Sequence, residues 1–179
     1  MRIFGIDPGS KCTGYGCIDT NGSQHEVVDC GVLTAPVRAT FPEKLRFIHQ
    51  SIVDLLTHHQ PDIVAIEDIF YAKNARSALI LGHVRGVLML AASQAGIVIA
   101  EYTPAEIKQA VVGYGRAEKV QVQQMITLLL NMDEAPSPLD ISDALAAAVC
   151  HAHSLNLPEG LNAREASKRR QERSRLRGN

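Results

Sequence analysis

The chain has 179 residues, enough for one domain with a substantial core. A hydrophobic share of 46% and a charged share of 21% are ordinary for a globular protein, and no apolar run approaches the ~20 residues of a membrane-spanning helix. The net charge of −1 argues against a uniformly basic nucleic-acid binder, but it is unevenly placed: residues 164–179 carry +5, which leaves −6 on residues 1–163.

The start, Met1-Arg2-Ile3-Phe4-Gly5-Ile6-Asp7, lacks the basic, apolar and small-residue sections of a signal peptide, so a cytoplasmic location without membrane attachment is expected. Residues 2–7 read as a buried strand. A tight turn at Pro8–Thr13 leads to a second strand over 14–19, and Asn21-Gly22 signals a two-residue hairpin into a third strand, His25–Thr34. From Pro42 onward, Leu45, Ile48, Ile52, Leu55 and Leu56 follow three- and four-residue spacing, so a helix is expected that ends at Pro61.

Residues 62–67 form a continuous apolar run, the pattern of a parallel strand buried on both faces. A polar loop holding Phe70, Tyr71 and Lys73 precedes a helix over about 75–94, in which Gly82 and Gly86 suggest a close helix contact. A fifth strand, 97–102, is followed by Thr103-Pro104-Ala105-Glu106, a capping box with Pro at the first helical position. Two further helices, one from Ala117 and one over about 139–153, complete the order β-β-β-α-β-α-β-α-α-α. That order predicts an α/β fold, a mixed five-stranded sheet flanked by helices on both faces.

The cysteines, Cys12, Cys17, Cys30 and Cys150, form no C-x-x-C pair, and His151 and His153 do not complete a zinc spacing with Cys150. They are expected to be reduced and to pack as small apolar groups.

Four carboxylates stand out. Asp7 and Glu67 close apolar strands, and Asp140 and Asp143 begin an Ala-rich helix three residues apart, on one face. Each has an ordinary alternative: Asp7 as a turn residue before Pro-Gly, Glu67 as a solvent-facing strand end, Asp140 as a helix cap within Ser137-Pro138-Leu139-Asp140. If Asp7 and Glu67 end neighbouring strands, they lie at the carboxyl edge where open α/β sheets bind ligands, and the four could converge there. Carboxylates gathered ~4 Å apart repel by about 4 kcal/mol per pair at an effective dielectric near 20. They must therefore take up protons or bind cations. Oxygen-only ligands favour Mg²⁺, with Mn²⁺ as a substitute, and such sites serve phosphodiester hydrolysis.

Phe70 in its polar loop could stack on an unpaired base or fold back on the core. Lys73, Arg76, Lys108, Arg116 and Lys119 could meet phosphates or stay solvated. The basic C-terminal stretch could likewise attract phosphate or stay solvated. An ATPase of the actin or sugar-kinase kind also opens with an Asp-Gly turn, but it needs a second phosphate loop, and no later strand–Gly–Gly segment occurs here. A nucleic-acid-binding module without catalysis would not need the carboxylates.

Gly5-Ile6-Asp7-Pro8-Gly9-Ser10 with Thr13-Gly14-Tyr15-Gly16 resembles the opening of the RuvC crossover-junction endodeoxyribonucleases. So do Ala65-Ile66-Glu67, Ala72-Lys73-Asn74, Arg85-Gly86, Lys108 to Gly113, Ala117-Glu118-Lys119 and Asp140 to Ala146. The resemblance covers about residues 1–155. It implies a ribonuclease H-like fold for residues 1–156, with 157–179 as a basic, disordered tail outside it. It implies a homodimer that makes paired, Mg²⁺-dependent nicks in a four-way (Holliday) DNA junction during recombination and repair, alongside the RuvA–RuvB branch-migration complex. By matching position, Asp7, Glu67, Asp140 and Asp143 would be the catalytic, metal-binding set. Phe70, Lys73, Lys108 and Lys119 would contact DNA.

Overall fold

The structure is a computed structural model, and it describes residues 1–9, 11–68 and 74–155. Phe70, Lys73 and the basic stretch 157–179 lie outside the described residues. Five strands and five helices follow in the order expected. They are β1 (Arg2–Asp7), β2 (Cys12–Thr20), β3 (His25–Thr34), α1 (Phe41–His59), β4 (Ile63–Glu67), α2 (Ala75–Gln94), β5 (Val98–Tyr102), α3 (Pro104–Val112), α4 (Lys119–Leu129) and α5 (Leu139–Leu155). The sheet order is β3-β2-β1-β4-β5. The meander β1–β2–β3 is antiparallel, whereas β1–β4 and β4–β5 are parallel.

Strand alternation divides the core into two layers. Phe4, Ile6, Val64 and Ile66 face α1 and α2, packing with Ile52, Leu56, Val84 and Leu88. Ile3 and Ala65 face the other way, with Ile107, Val122, Ile126 and the interior of α5. Helix starts are set locally: Thr40 with Glu43 and Thr103 with Glu106 form capping boxes, each followed by Pro in the first turn.

Helix α5 is buried almost all round, with Ala144, Leu145, Ala146, Ala147, Ala148 and Val149 inaccessible. It can lie so close because β1 and β2 present glycine to it. A Cβ on Gly5 would run into the Ala144 carbonyl and come within 2.9 Å of the Ala148 nitrogen, and one on Gly14 would strike the Asp140 backbone. This track brings the start of α5 down beside the end of β1.

Three expectations, and the alternative of Asp140 as a helix cap, need correction. The β2–β3 turn spans Asn21–Gln24 instead of two residues, because the Asn21 side-chain oxygen accepts the backbone N–H groups of Ser23 (3.2 Å) and Gln24 (2.9 Å) and closes a wider loop. Asp140 does not cap α5; it lies inside the first turn, past the cap. Among the described residues of one chain, Gly82 and Gly86 make no close helix contact, since added Cβ atoms there would meet nothing within 4 Å. Finally, α2 is by length and composition apolar enough to cross a membrane, although only Val84, Leu88, Ala91 and Ala92 of its 20 residues are buried. Its apolar character was masked in the sequence by Arg76, His83 and Arg85.

Candidate active site

The register places the first two carboxylates side by side. Ile3, Gly5 and Asp7 share one face of β1, and Ala65 and Glu67 share the same face of β4, its parallel neighbour. Both side chains therefore leave the carboxyl ends of adjacent central strands toward α5. Thr13, fully buried, ties the turn after β1 together through Oγ1 donating to the Gly9 carbonyl (3.2 Å).

Asp7 and Glu67 share a hydrogen bond, and the pair retains a proton. Burial, followed by the charges of Glu67 and Asp143, pushes the Asp7 carboxyl up to about 9 from the usual 3.8. Burial and Asp143 also raise Glu67, against the hydrogen bond it accepts from Asp7. Lys119, at the start of α4, forms an ion pair with Asp143, whose side chain is only 16% exposed. Burial works against the ammonium charge, but the hydrogen bond and charge of Asp143 outweigh it and hold Lys119 above its ordinary value. Lys108, half-buried on α3, is close enough to act electrostatically on Glu67.

Asp140 stands slightly apart. Its carboxylate meets the Cys12 thiol at the start of β2, and burial followed by Asp140 pushes that thiol up to about 11, with Asp7 also contributing. The structure thus gathers Asp7, Glu67 and Asp143 with Lys119, and sets Asp140 beside them through Cys12. Among the described residues, no three side chains already converge on one point as a cation cage. The reason is local: Asp7 and Glu67 engage each other, while Asp143 engages Lys119. The donor set nevertheless fits a hard divalent cation, being all oxygen, half-buried and burdened with a retained proton that a cation can displace.

Two site features escaped the sequence reading. Lys119 was expected to reach phosphate, but it lies on Asp143 first. Cys12 was read as an apolar filler, and its contact with Asp140 depends on β2 passing under α5, which no local pattern announces.

The family model described as "Crossover junction endodeoxyribonuclease RuvC" matches residues 3–151. A protein of that name from Alkaliphilus oremlandii is 47% identical over 159 residues, covering 89% of this chain and 97% of its own length. The structure superposes on that of Thermus thermophilus RuvC with a TM-score of 0.80 at 31% identity, covering 87% of this chain and 96% of the other. It matches equally well, at a TM-score of 0.80, 29% identity and the same coverage, the T. thermophilus protein in complex with a Holliday junction substrate. With a family match that spans all five strands and all four carboxylates, and a relative covered nearly end to end, this chain belongs to the RuvC family of crossover junction endodeoxyribonucleases.

Proposed function

We propose that the chain is a divalent-metal-dependent endonuclease that resolves four-way DNA junctions by paired nicks. The observation that carries this is the pairing of Asp7 and Glu67 at the carboxyl edge of β1 and β4, with Asp143 near enough to raise both and Asp7 pushed up to about 9. Asp7, Glu67, Asp140 and Asp143 are the cation ligands in this reading, with Mg²⁺ the physiological ion and Mn²⁺ a substitute. When bound, the cation supplies charge neutralisation at the scissile phosphate and an activated water.

The chain's own residues prepare that chemistry. Asp7 and Glu67 release their shared proton when a cation takes its place. Lys119 holds Asp143 in the metal-free state and, on release, presents an ammonium to the phosphate. Lys108 adds positive potential beside Glu67. The DNA contacts proposed for Phe70 and Lys73 rest on the family resemblance alone. So do the partnership with RuvA–RuvB and the nuclease domain over 1–156, whereas the basic tail over 157–179 rests on its charge.

A homodimer is supported by α2. Leu79 and Leu90 are 65% and 52% exposed, and with the uncovered Gly82 and Gly86 they form one stripe along the helix. Small residues framed by leucines suit close packing of a second helix, and an isologous contact would set two sites about a two-fold axis. Replacing Gly86 with Glu should leave a folded monomer by sedimentation. It should still hold a junction weakly but no longer make coordinated cuts.

The direct test incubates a synthetic four-way junction with Mg²⁺. The wild type should cut symmetrically, and Asp7→Asn should bind but fail to cut; equal cutting by Asp7→Asn would sink the assignment. Substituting Ca²⁺ should preserve binding and stop cleavage.

A further inference from the structure

On the face of the sheet away from the carboxylates, Asp68 follows Glu67 directly. Strand alternation sends Glu67 toward α5 and Asp68 toward α2. The Asp68 N–H donates to the Tyr102 carbonyl at 2.7 Å, carrying the β4–β5 ladder one step past Glu67. Glu101 on β5 points to the same side as Asp68. Between them lies Arg85 of α2, its side chain only 17% exposed. A single nitrogen, Nη2, serves both carboxylates: it is 3.3 Å from Asp68 Oδ1 and donates to Glu101. The buried Arg85 Nε has no hydrogen-bond partner among the described residues, and the guanidinium meets both carboxylates through Nη2.

We propose that Arg85 is a positioning residue for the cleavage reaction. By clamping Asp68 against α2 and β5, it fixes the end of β4 and so fixes the direction in which Glu67 leaves the sheet. A strand end is free to twist about its last residues, and Asp68 is the first residue past β4. Holding Asp68 on one face holds its neighbour on the other. The clamp also ties the site to α2, so a shift in the seating of that helix reaches Glu67 through one side chain. The inference rests on the reading of Glu67 as a cation ligand.

The single-nitrogen geometry makes a distinctive demand. An ammonium can serve two carboxylates as Nη2 does, so Arg85→Lys should restore what Arg85→Met removes. The test titrates Mn²⁺ into DNA-free protein by calorimetry and follows junction cleavage against Mg²⁺ concentration, with junction affinity measured in Ca²⁺. Arg85→Met and Asp68→Asn should each weaken Mn²⁺ binding and raise the Mg²⁺ half-point by about tenfold, as lost supports of metal ligands do. Junction affinity in Ca²⁺ should stay within about twofold, and Arg85→Lys should lie close to wild type. A merely structural role would lower the melting temperature without moving the metal half-point. An unchanged half-point in folded Asp68→Asn overturns the proposal, even if Arg85→Met fails to fold. Glu67→Gln separates the two readings: if it binds Mn²⁺ as wild type does, the ligand assignment itself is wrong. If it loses Mn²⁺ while both clamp variants keep it, only the clamp is wrong.

Discussion

Asp7 is where the proposed chemistry and the pH dependence of stability meet. Its carboxyl keeps a proton up to about pH 9 in the folded, metal-free chain, against 3.8 as the ordinary value. The folded state therefore binds more protons than the unfolded chain across that window, and stability must fall as pH rises through it. Asp7→Asn removes the burden without changing shape. Its metal-free melting temperature at pH 8 should exceed that of wild type by about 3 °C, corresponding to ~1 kcal/mol in a chain of this size. For the same reason, divalent cations should bind more tightly as pH rises toward 9, with release of about one proton at neutral pH. Calorimetry in buffers of different ionisation enthalpy measures that proton, and a buffer-independent enthalpy would contradict the shared proton. Lys119→Met should raise Asp7 further, because Lys119 lowers it. The pH dependence of cation binding would then shift upward, which the same titrations detect.

Among the elements, α5 and the strands beneath it carry the site. The descent of α5 depends on Gly14, whose register partner across β1–β2 is Asp7 itself. Gly14→Ala would push its new Cβ into the backbone of Asp140, so the first turn of α5 must lift away from β1. Cleavage should fall at least about tenfold, and stability should drop by 1–3 kcal/mol, the usual cost of overpacking; denaturant melts and Mg²⁺ titration measure the two effects. Cap chemistry explains why several boundaries were legible beforehand. Thr103-Pro104-Ala105-Glu106 starts α3 where its residues announce it, and Gly113, with φ of 93°, ends it. The continuous apolar run of β4 likewise marked a strand with neighbours on both sides, and β1 and β5 flank it. The Asn21 loop was not legible, because it was decided by side-chain hydrogen bonds that a two-residue turn signature does not encode.

For the molecule as a whole, the sequence announced the set of carboxylates but not their grouping. Asp7 and Glu67 could be paired from strand order alone, since both end apolar runs that suit parallel neighbours. That Asp143 joins them while Asp140 turns to Cys12 depends on how α5 rotates over the glycine track, a property of packing and not of spacing. The Arg85 clamp was hidden for a related reason: Asp68, Glu101 and Arg85 are distant in sequence and meet only once the sheet is assembled.

The near-complete burial of α5 has a kinetic consequence. Residues Ala144 to Val149 are inaccessible, so their amides should exchange through global opening. Asp140 and Asp143 ride on the start of this buried helix, whereas Glu67 ends a strand whose next residue, Asp68, is held by Arg85 and by its N–H bond to the Tyr102 carbonyl. Occupancy of the site by a divalent cation should therefore slow exchange most at Glu67 and Asp68 and least within α5. Exchange measured with and without Mn²⁺ would show the four carboxylates as two bodies of unequal rigidity.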